Sequence, residues 1–231
     1  MTDPTGILNK IKGKIRSLLR SRQEKRHTLV GPGHLWKMKR QFQFDFLKTR
    51  GLKPTDRLLD IGCGTLRGGV PFIQFLDEAN YFGIDVRENV LREGQKELTL
   101  SGLEHKKPSL VLFSYFRDLQ FEHRFEYILA FSVLIHLEDA ICEQCLEFVS
   151  LNLSGTGACY ANVNVESHPD DRWEEFPIVF RSVKFYQKLA HLYGLEVSVL
   201  GTLAELGHHS GQELADKQLM LEFRRKCHPD P

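Results

Sequence analysis

The chain predicts an α/β fold built on a doubly wound, mostly parallel sheet, and three observations predict it. A short apolar run, Leu58, Leu59 and Ile61, is broken by Gly62 and Gly64 and resumes after Gly68 and Gly69 as Val70 to Leu76. That order reads as a strand, a glycine turn and a helix. A second strand-like run from Tyr81 to Ile84 ends in Asp85. Downstream, short apolar runs keep alternating with helix-length amphipathic ones, the pattern of a parallel sheet with right-handed crossovers.

The elements follow in order. Residues 1–30 form a basic arm, whose first 26 residues carry eight basic side chains against two acidic ones. Ile7, Leu8, Ile11, Ile15, Leu18 and Leu19 lie at helical spacing, so an apolar stripe runs beneath a cationic face. Such a helix (residues 7–22) can lie on an anionic membrane surface or dock on a partner protein, but a narrow stripe without Trp or Phe favours packing on the chain's own body. Residues 31–54 hold a Gly31-Pro32-Gly33 linker and a helix from His34 to Leu47 that ends near Gly51 and Pro54. Residues 55–231 form the sheet domain. Strands are expected at 58–62, 81–85, 109–113, 125–131, 158–165, 196–200 and 218–223. Helices are expected at 69–76, 87–101, 138–153 and 182–193, with loops over 166–180 and 201–217.

Composition bounds the function. At 231 residues, with 42% hydrophobic and 26% charged residues, the chain suits one large soluble domain with an appendage. No apolar run is long enough to span a membrane, and no signal peptide is visible. Five cysteines, an odd number, predict reduced thiols and a cytoplasmic location, with membrane-peripheral placement as the variant the arm allows. A near-neutral body without a basic patch argues against nucleic acid as substrate.

The glycine turn carries the first chemical signal. Glycines there let backbone N–H groups and a helix start approach a ligand, and a carboxylate ending the second strand accepts ribose hydroxyls. Asp60 stands two residues before Gly62, where it would repel the pyrophosphate of a dinucleotide. The spacing Gly62, Gly64, Gly68 also departs from the dinucleotide fingerprint. S-adenosylmethionine has no phosphate, and its sulfonium and ammonium groups favour an acidic turn. Asp60-Ile61-Gly62-Cys63-Gly64-Thr65 followed by Gly83-Ile84-Asp85 resembles the first two motifs of the class I S-adenosylmethionine-dependent methyltransferases, over roughly residues 55–225.

The resemblance implies a seven-stranded sheet with an antiparallel last strand and helices on both faces. It implies that the enzyme uses S-adenosyl-L-methionine as cofactor. Contacts are expected from Asp60, Gly62, Cys63, Gly64, Thr65 and Arg67 in the turn and from Asp85 and Val86 after the second strand. Tyr115 and Phe116 occupy the place after the third strand where many members carry an acidic adenine contact, with Asp118 as the alternative. Phe131 and Ser132 are expected after the fourth. Leu66 occupies the usual third glycine. Phe131 to Leu137 resembles the small-molecule branch of the family rather than the Pro-Pro tetrad of nucleic-acid enzymes.

Methyl transfer from a sulfonium is an in-line displacement that depends first on alignment. A hydroxyl acceptor benefits from a general base, and His136, His168, His208 and His209 are the candidates. Trp36 and Lys39 before the sheet, and Glu166, Arg172, Trp173 and Arg181 after the fifth strand, are candidate acceptor contacts. Cys142 and Cys145 lie in a helix without a second pair, and His208-His209 lacks further ligands at convincing spacing, so no metal site is expected. These observations point to O-methylation of a small molecule (sugar, lipid-linked or secondary metabolite). Protein or peptide methylation, or a cofactor-binding scaffold without activity, are the alternatives.

Overall fold

The computed structural model describes residue 24 and residues 26–165, 168–173 and 175–226. The basic arm up to residue 23, and Glu166, lie outside the described residues. Four buried positions in succession make β1 (Leu58–Ile61) a central strand. The chain continues through β2 (Tyr81–Asp85), β3 (Ser109–Leu112), β4 (Phe125–Ala130) and β5 (Leu153–Val163), followed by a small two-stranded unit of β6 (Asp171–Trp173) and β7 (Phe176–Ile178). The chain then adds β8 (Leu195–Thr202) and β9 (Leu219–Arg225). The main sheet has seven strands in the order β3-β2-β1-β4-β5-β9-β8. β1 to β5 pair in parallel, whereas β9 runs antiparallel to both β5 and β8. This is the seven-stranded, mostly parallel architecture with an antiparallel last strand.

Helices α1 (Trp36–Thr49), α2 (Gly69–Phe75) and α3 (Glu88–Leu100) cover one face; α4 (Asp139–Asn152) and α5 (Val183–Leu192) cover the other. Successive strand residues point to opposite faces, so Leu58 joins Phe46, Phe72 and Leu98 in one core while Leu59 joins Leu146 and Tyr186 in the second. A short α6 (Glu213–Asp216) precedes β9. Strand order reverses between β1 and β4, and in open α/β sheets that switch point opens a crevice beyond the carboxyl ends of the strands.

Two expectations need correction. Residues 166–180 were expected to be a loop, yet β6 and β7 pair there with Trp173 opposite Phe176. Their rings stack at 6.4 Å and also approach His136, at 5.7 and 6.0 Å, and this aromatic contact supports the ribbon. Residues 201–217 were expected to be a polar loop. Instead β8 runs on to Thr202, Leu203 is buried, and His208 is 1% exposed.

Candidate active site

A cavity of about 680 Å³ opens at the carboxyl ends of β1, β2 and β4. Its size falls in the range of about 300–1,000 Å³ seen for small-molecule sites. Gly62, Arg67, Asp85 and Val86 border it from the first two strands, and Phe113, Tyr115 and Phe116 from the third. Phe131, Ser132 and His136 follow from the fourth. The described hairpin residues Trp173, Phe176 and Ile178 form a further wall.

The glycine turn is tightly built. Gly62 and Gly64 have φ of +71° and +59°, the left-handed region that glycine enters freely. Leu66 shares this conformation at φ +59° and is fully buried, so the third glycine's backbone shape is kept by a core leucine. Asp85 is 4% exposed, and its two oxygens accept the N–H groups of Gly64 and Arg87, each at 2.9 Å. One carboxylate thus ties the ends of β1 and β2 together and keeps lone pairs for a ligand on the cavity wall.

Above the turn lies residues 26–32, a strap that sequence reasoning missed. Arg67 Nη1 donates to the Val30 carbonyl at 2.7 Å and Arg87 Nη1 to that of Leu29 at 3.3 Å. Buried Glu97 on α3 receives both Arg26, at 3.4 Å, and Arg40, at 3.2 Å. These long-range pairs leave no periodic trace in the sequence.

Asp60 is buried behind the turn rather than on the cavity wall, and Tyr81 donates a 2.7 Å hydrogen bond to its Oδ2. Burial pushes its pKa up to about 7; the Tyr81 bond opposes the shift, and the Asp85 charge adds to it. Folding therefore favours the protonated acid. This stabilisation is complete below the ordinary value of 3.8 and is lost as pH rises through about 7. The free protein is expected to lose up to about 4 kcal/mol between these values, a slope that Asp60→Asn removes. Urea denaturation of both proteins across this range checks it, and parallel pH curves would refute it.

A buried amide chain forms the cavity floor. The Ser132 N–H donates to Asn162 Oδ1 at 2.6 Å, Asn162 Nδ2 to Gln218 Oε1 at 2.6 Å, and Gln218 Nε2 to Asn164 Oδ1 at 2.9 Å. Asn164 Nδ2 ends the chain on the Val179 carbonyl at 3.1 Å. The chain holds Ser132 in its positive-φ conformation (+59°) and links the loops after β4 and β7. Asn162→Leu leaves a buried N–H and a buried amide oxygen unpaired, so a destabilisation of about 2–5 kcal/mol is expected by chemical denaturation. A loss below about 0.5 kcal/mol would show that the chain contributes little. Two asparagines alternating with apolar residues, Asn162 in β5 and Asn164 just past its end, were the one signal in the sequence that marked it.

The four histidines separate. His136 is half-buried on the wall with Nδ1 bonded to the Pro177 carbonyl at 2.7 Å. His208 is buried on the wall with Nδ1 2.9 Å from Asp216 Oδ1. Burial lowers the pKa of both below 6.5, only partly offset by those bonds, so both imidazoles are neutral at pH 7. His168 lies against Phe180 and His209 is exposed; neither borders the cavity.

Of the remaining expected site residues, Lys39 and Trp173 line the cavity together with those already placed there. Cys63, Gly64 and Thr65 are buried in the turn behind the wall, and Asp118 is exposed away from it. Trp36 is buried off the wall, stacked on His27 at 3.7 Å with Arg40 over its ring, because α1 turns that face toward the strap. Arg172 bonds the Glu175 carbonyl, and Arg181 bridges Asp139 and Asp170; both lie outside the cavity. Arg87, Asn164, Leu203, Gln212 and Gln218 border the cavity without having been expected there.

No protein-family model and no curated protein sequence matches the chain. Solved structures do. It is similar to magnesium protoporphyrin IX methyltransferase (ChlM) from Synechocystis with bound SAM, at 14% identity, covering 82% of this chain and 80% of that one with a TM-score of 0.61. The CcbJ methyltransferase from Streptomyces caelestis is similar at 12% identity over 81% and 96% of the two chains, TM-score 0.62. The glycopeptide N-methyltransferase MtfA in complex with S-adenosyl-L-homocysteine is similar at 13% identity over 81% and 87%, TM-score 0.62. The fold is therefore the class I methyltransferase fold.

Proposed function

We propose that the protein is an S-adenosylmethionine-dependent methyltransferase that O-methylates a small molecule. The observation that carries this reading is the pairing of Asp85 with two histidines, each with Nδ1 held by an acceptor, on the wall of one cavity. The residues present fit the cofactor: Asp85 offers a carboxylate for ribose hydroxyls, Val86, Tyr115 and Phe116 offer apolar surface for an adenine, and no phosphate-binding cradle is needed. The cofactor supplies an electrophilic methyl group. The protein's residues orient the acceptor, exclude water and receive its proton. Each wall histidine has Nδ1 tied to an acceptor, which leaves Nε2 as the basic nitrogen. A cavity of about 680 Å³ is of the size that takes a cofactor and a small acceptor, which favours a small molecule over a folded protein.

The same proposal covers the division into a basic arm (1–30), a linker with a capping helix (31–54) and the catalytic domain (55–231). It also covers a cytoplasmic location, which the buried free thiols Cys63, Cys142, Cys145 and Cys159 support. No helix among the described residues is long and apolar enough to cross a membrane. Calorimetry is expected to show binding of S-adenosylhomocysteine and none of NAD. Tight NAD binding without a response to S-adenosylhomocysteine would overturn the reading. A mass gain of one methylene on a small molecule from a cell extract incubated with protein and cofactor identifies the acceptor.

A further inference from the structure

Two imidazoles border the cavity, and they differ in what holds them. His136 leans on a backbone carbonyl, whereas His208 leans on a carboxylate that is itself firmly held. Asp216 accepts the Ser210 N–H at 2.9 Å, the Ser210 hydroxyl at 2.7 Å and the Gly211 N–H at 3.0 Å, besides the imidazole. Burial alone would raise the Asp216 pKa, but these donors outweigh it and keep the carboxylate ionised. An ionised Asp216 fixes the proton of His208 on Nδ1 and turns the lone pair to Nε2. That Nε2 is buried and has no hydrogen-bond partner among the described residues. A buried nitrogen without a partner beside a cavity is suited to a donor that arrives with the ligand.

The surroundings say which donor. Phe42 and Phe131 flank the imidazole with ring centroids at 5.1 and 5.9 Å, and the His208 backbone N–H donates to the carbonyl of buried Leu203. The nearby amides of Asn164 and Gln218 are engaged with each other. A polyol placed here would leave hydroxyls unpaired, whereas a flat apolar frame would not. Two cations complete the site: Lys39 on α1 and Arg67 on the glycine turn border the cavity and act by charge on His208. Arg67 Nε has no hydrogen-bond partner, and the Lys39 ammonium forms no ion pair among the described residues. Asp216, Lys39 and Arg67 are thus the charged groups facing the imidazole from the elements packed on it.

We propose that His208, oriented by Asp216, is the general base for methyl transfer, and that Lys39 and Arg67 receive the developing oxyanion. The site therefore selects an acidic hydroxyl of the phenol or enol type. This rests on the methyltransferase reading above. In the step, the acceptor O–H bond breaks and its proton forms an N–H bond at His208 Nε2. The freed oxygen pair forms the C–O bond to the methyl carbon as the C–S bond breaks, with its electron pair staying on sulfur. The products are a methyl ether, S-adenosylhomocysteine and an imidazolium whose proton passes to solvent.

The test uses 4-nitrophenol as probe on the full chain saturated with S-adenosylhomocysteine, following the yellow phenolate band against pH. The wild type is expected to bind the probe and to lower its apparent pKa by about one unit or more, since two cations favour the charged form. Lys39→Met is expected to abolish the shift, and His208→Gln to weaken binding about tenfold or more. Asp216→Asn, which keeps the side chain's shape, serves as the second variant should His208→Gln fail to fold, and is expected to reduce the shift. Failure to bind S-adenosylhomocysteine would overturn the methyltransferase reading itself. Intact S-adenosylhomocysteine binding with no probe binding, an unshifted probe, or variants that titrate like the wild type would overturn the dyad alone.

Discussion

Asp85→Ala is expected to weaken S-adenosylhomocysteine binding by about 1–3 kcal/mol, roughly fivefold to more than a hundredfold, because ligand hydroxyls lose a buried charged acceptor. The same change unpairs the Gly64 and Arg87 N–H groups, which Asp85 now satisfies at 2.9 Å each. A loss of stability of about 1–3 kcal/mol should therefore accompany the loss of affinity. Calorimetry and urea denaturation on one preparation separate the two. Asp85→Asn keeps an oxygen for one of the N–H donors, so it should recover part of the stability while affinity stays low. Unchanged affinity in a folded Asp85→Ala would remove this residue from the cofactor site.

Gly64→Val should be the more damaging to the fold. Gly64 has φ +59°, where a β-branched residue is strained by about 1–2 kcal/mol or more. Its Cβ would stand 2.9 Å from Val30 Cγ1, so the strap must lift or Val30 must change rotamer. Overpacking of this kind costs about 1–3 kcal/mol, which brings the expected total to about 2–5 kcal/mol. Because Arg67 anchors the Val30 carbonyl, displacing the strap should also disturb the cation at the cavity. Thermal or urea denaturation gives the first effect and S-adenosylhomocysteine titration the second. Gly64→Ala beside Val30→Ala tests the clash directly: relief of the loss in the double variant is expected. Without that relief, backbone strain alone is responsible.

The strands were legible because their cause is local. Leu58 to Ile61 and Tyr81 to Asp85 are short apolar runs bounded by turn residues, and the expected and observed ends agree within a residue. β5 shows where such reading stops. It begins at Leu153, not at Ala158, because Leu153 pairs with Phe125 of β4 and the register then slips, resuming only where Ala158 meets Tyr127. The hairpin of β6 and β7 was missed for a similar reason. Each strand is only three residues long, and its support comes from His136, more than 30 residues away.

The sequence by itself determined the class of architecture, the glycine turn, Asp85 at the end of β2 and the absence of a dinucleotide pattern. All of these follow from spacing along the chain and from the conformational limits of single residues. Only the tertiary structure decided which side chains meet. It placed Asp60 behind the wall, turned Trp36 away from it and brought Lys39, Arg67 and His208 to one end of the cavity. It also joined Asn162, Asn164 and Gln218 into one chain and buried His208 against Asp216 in a stretch that reads as polar loop. The physical reason is that burial and charge pairing depend on distance in space. Residues such as Arg67 and Val30, or Ser132 and Asn162, are 30 or more positions apart in the chain and bonded in the fold.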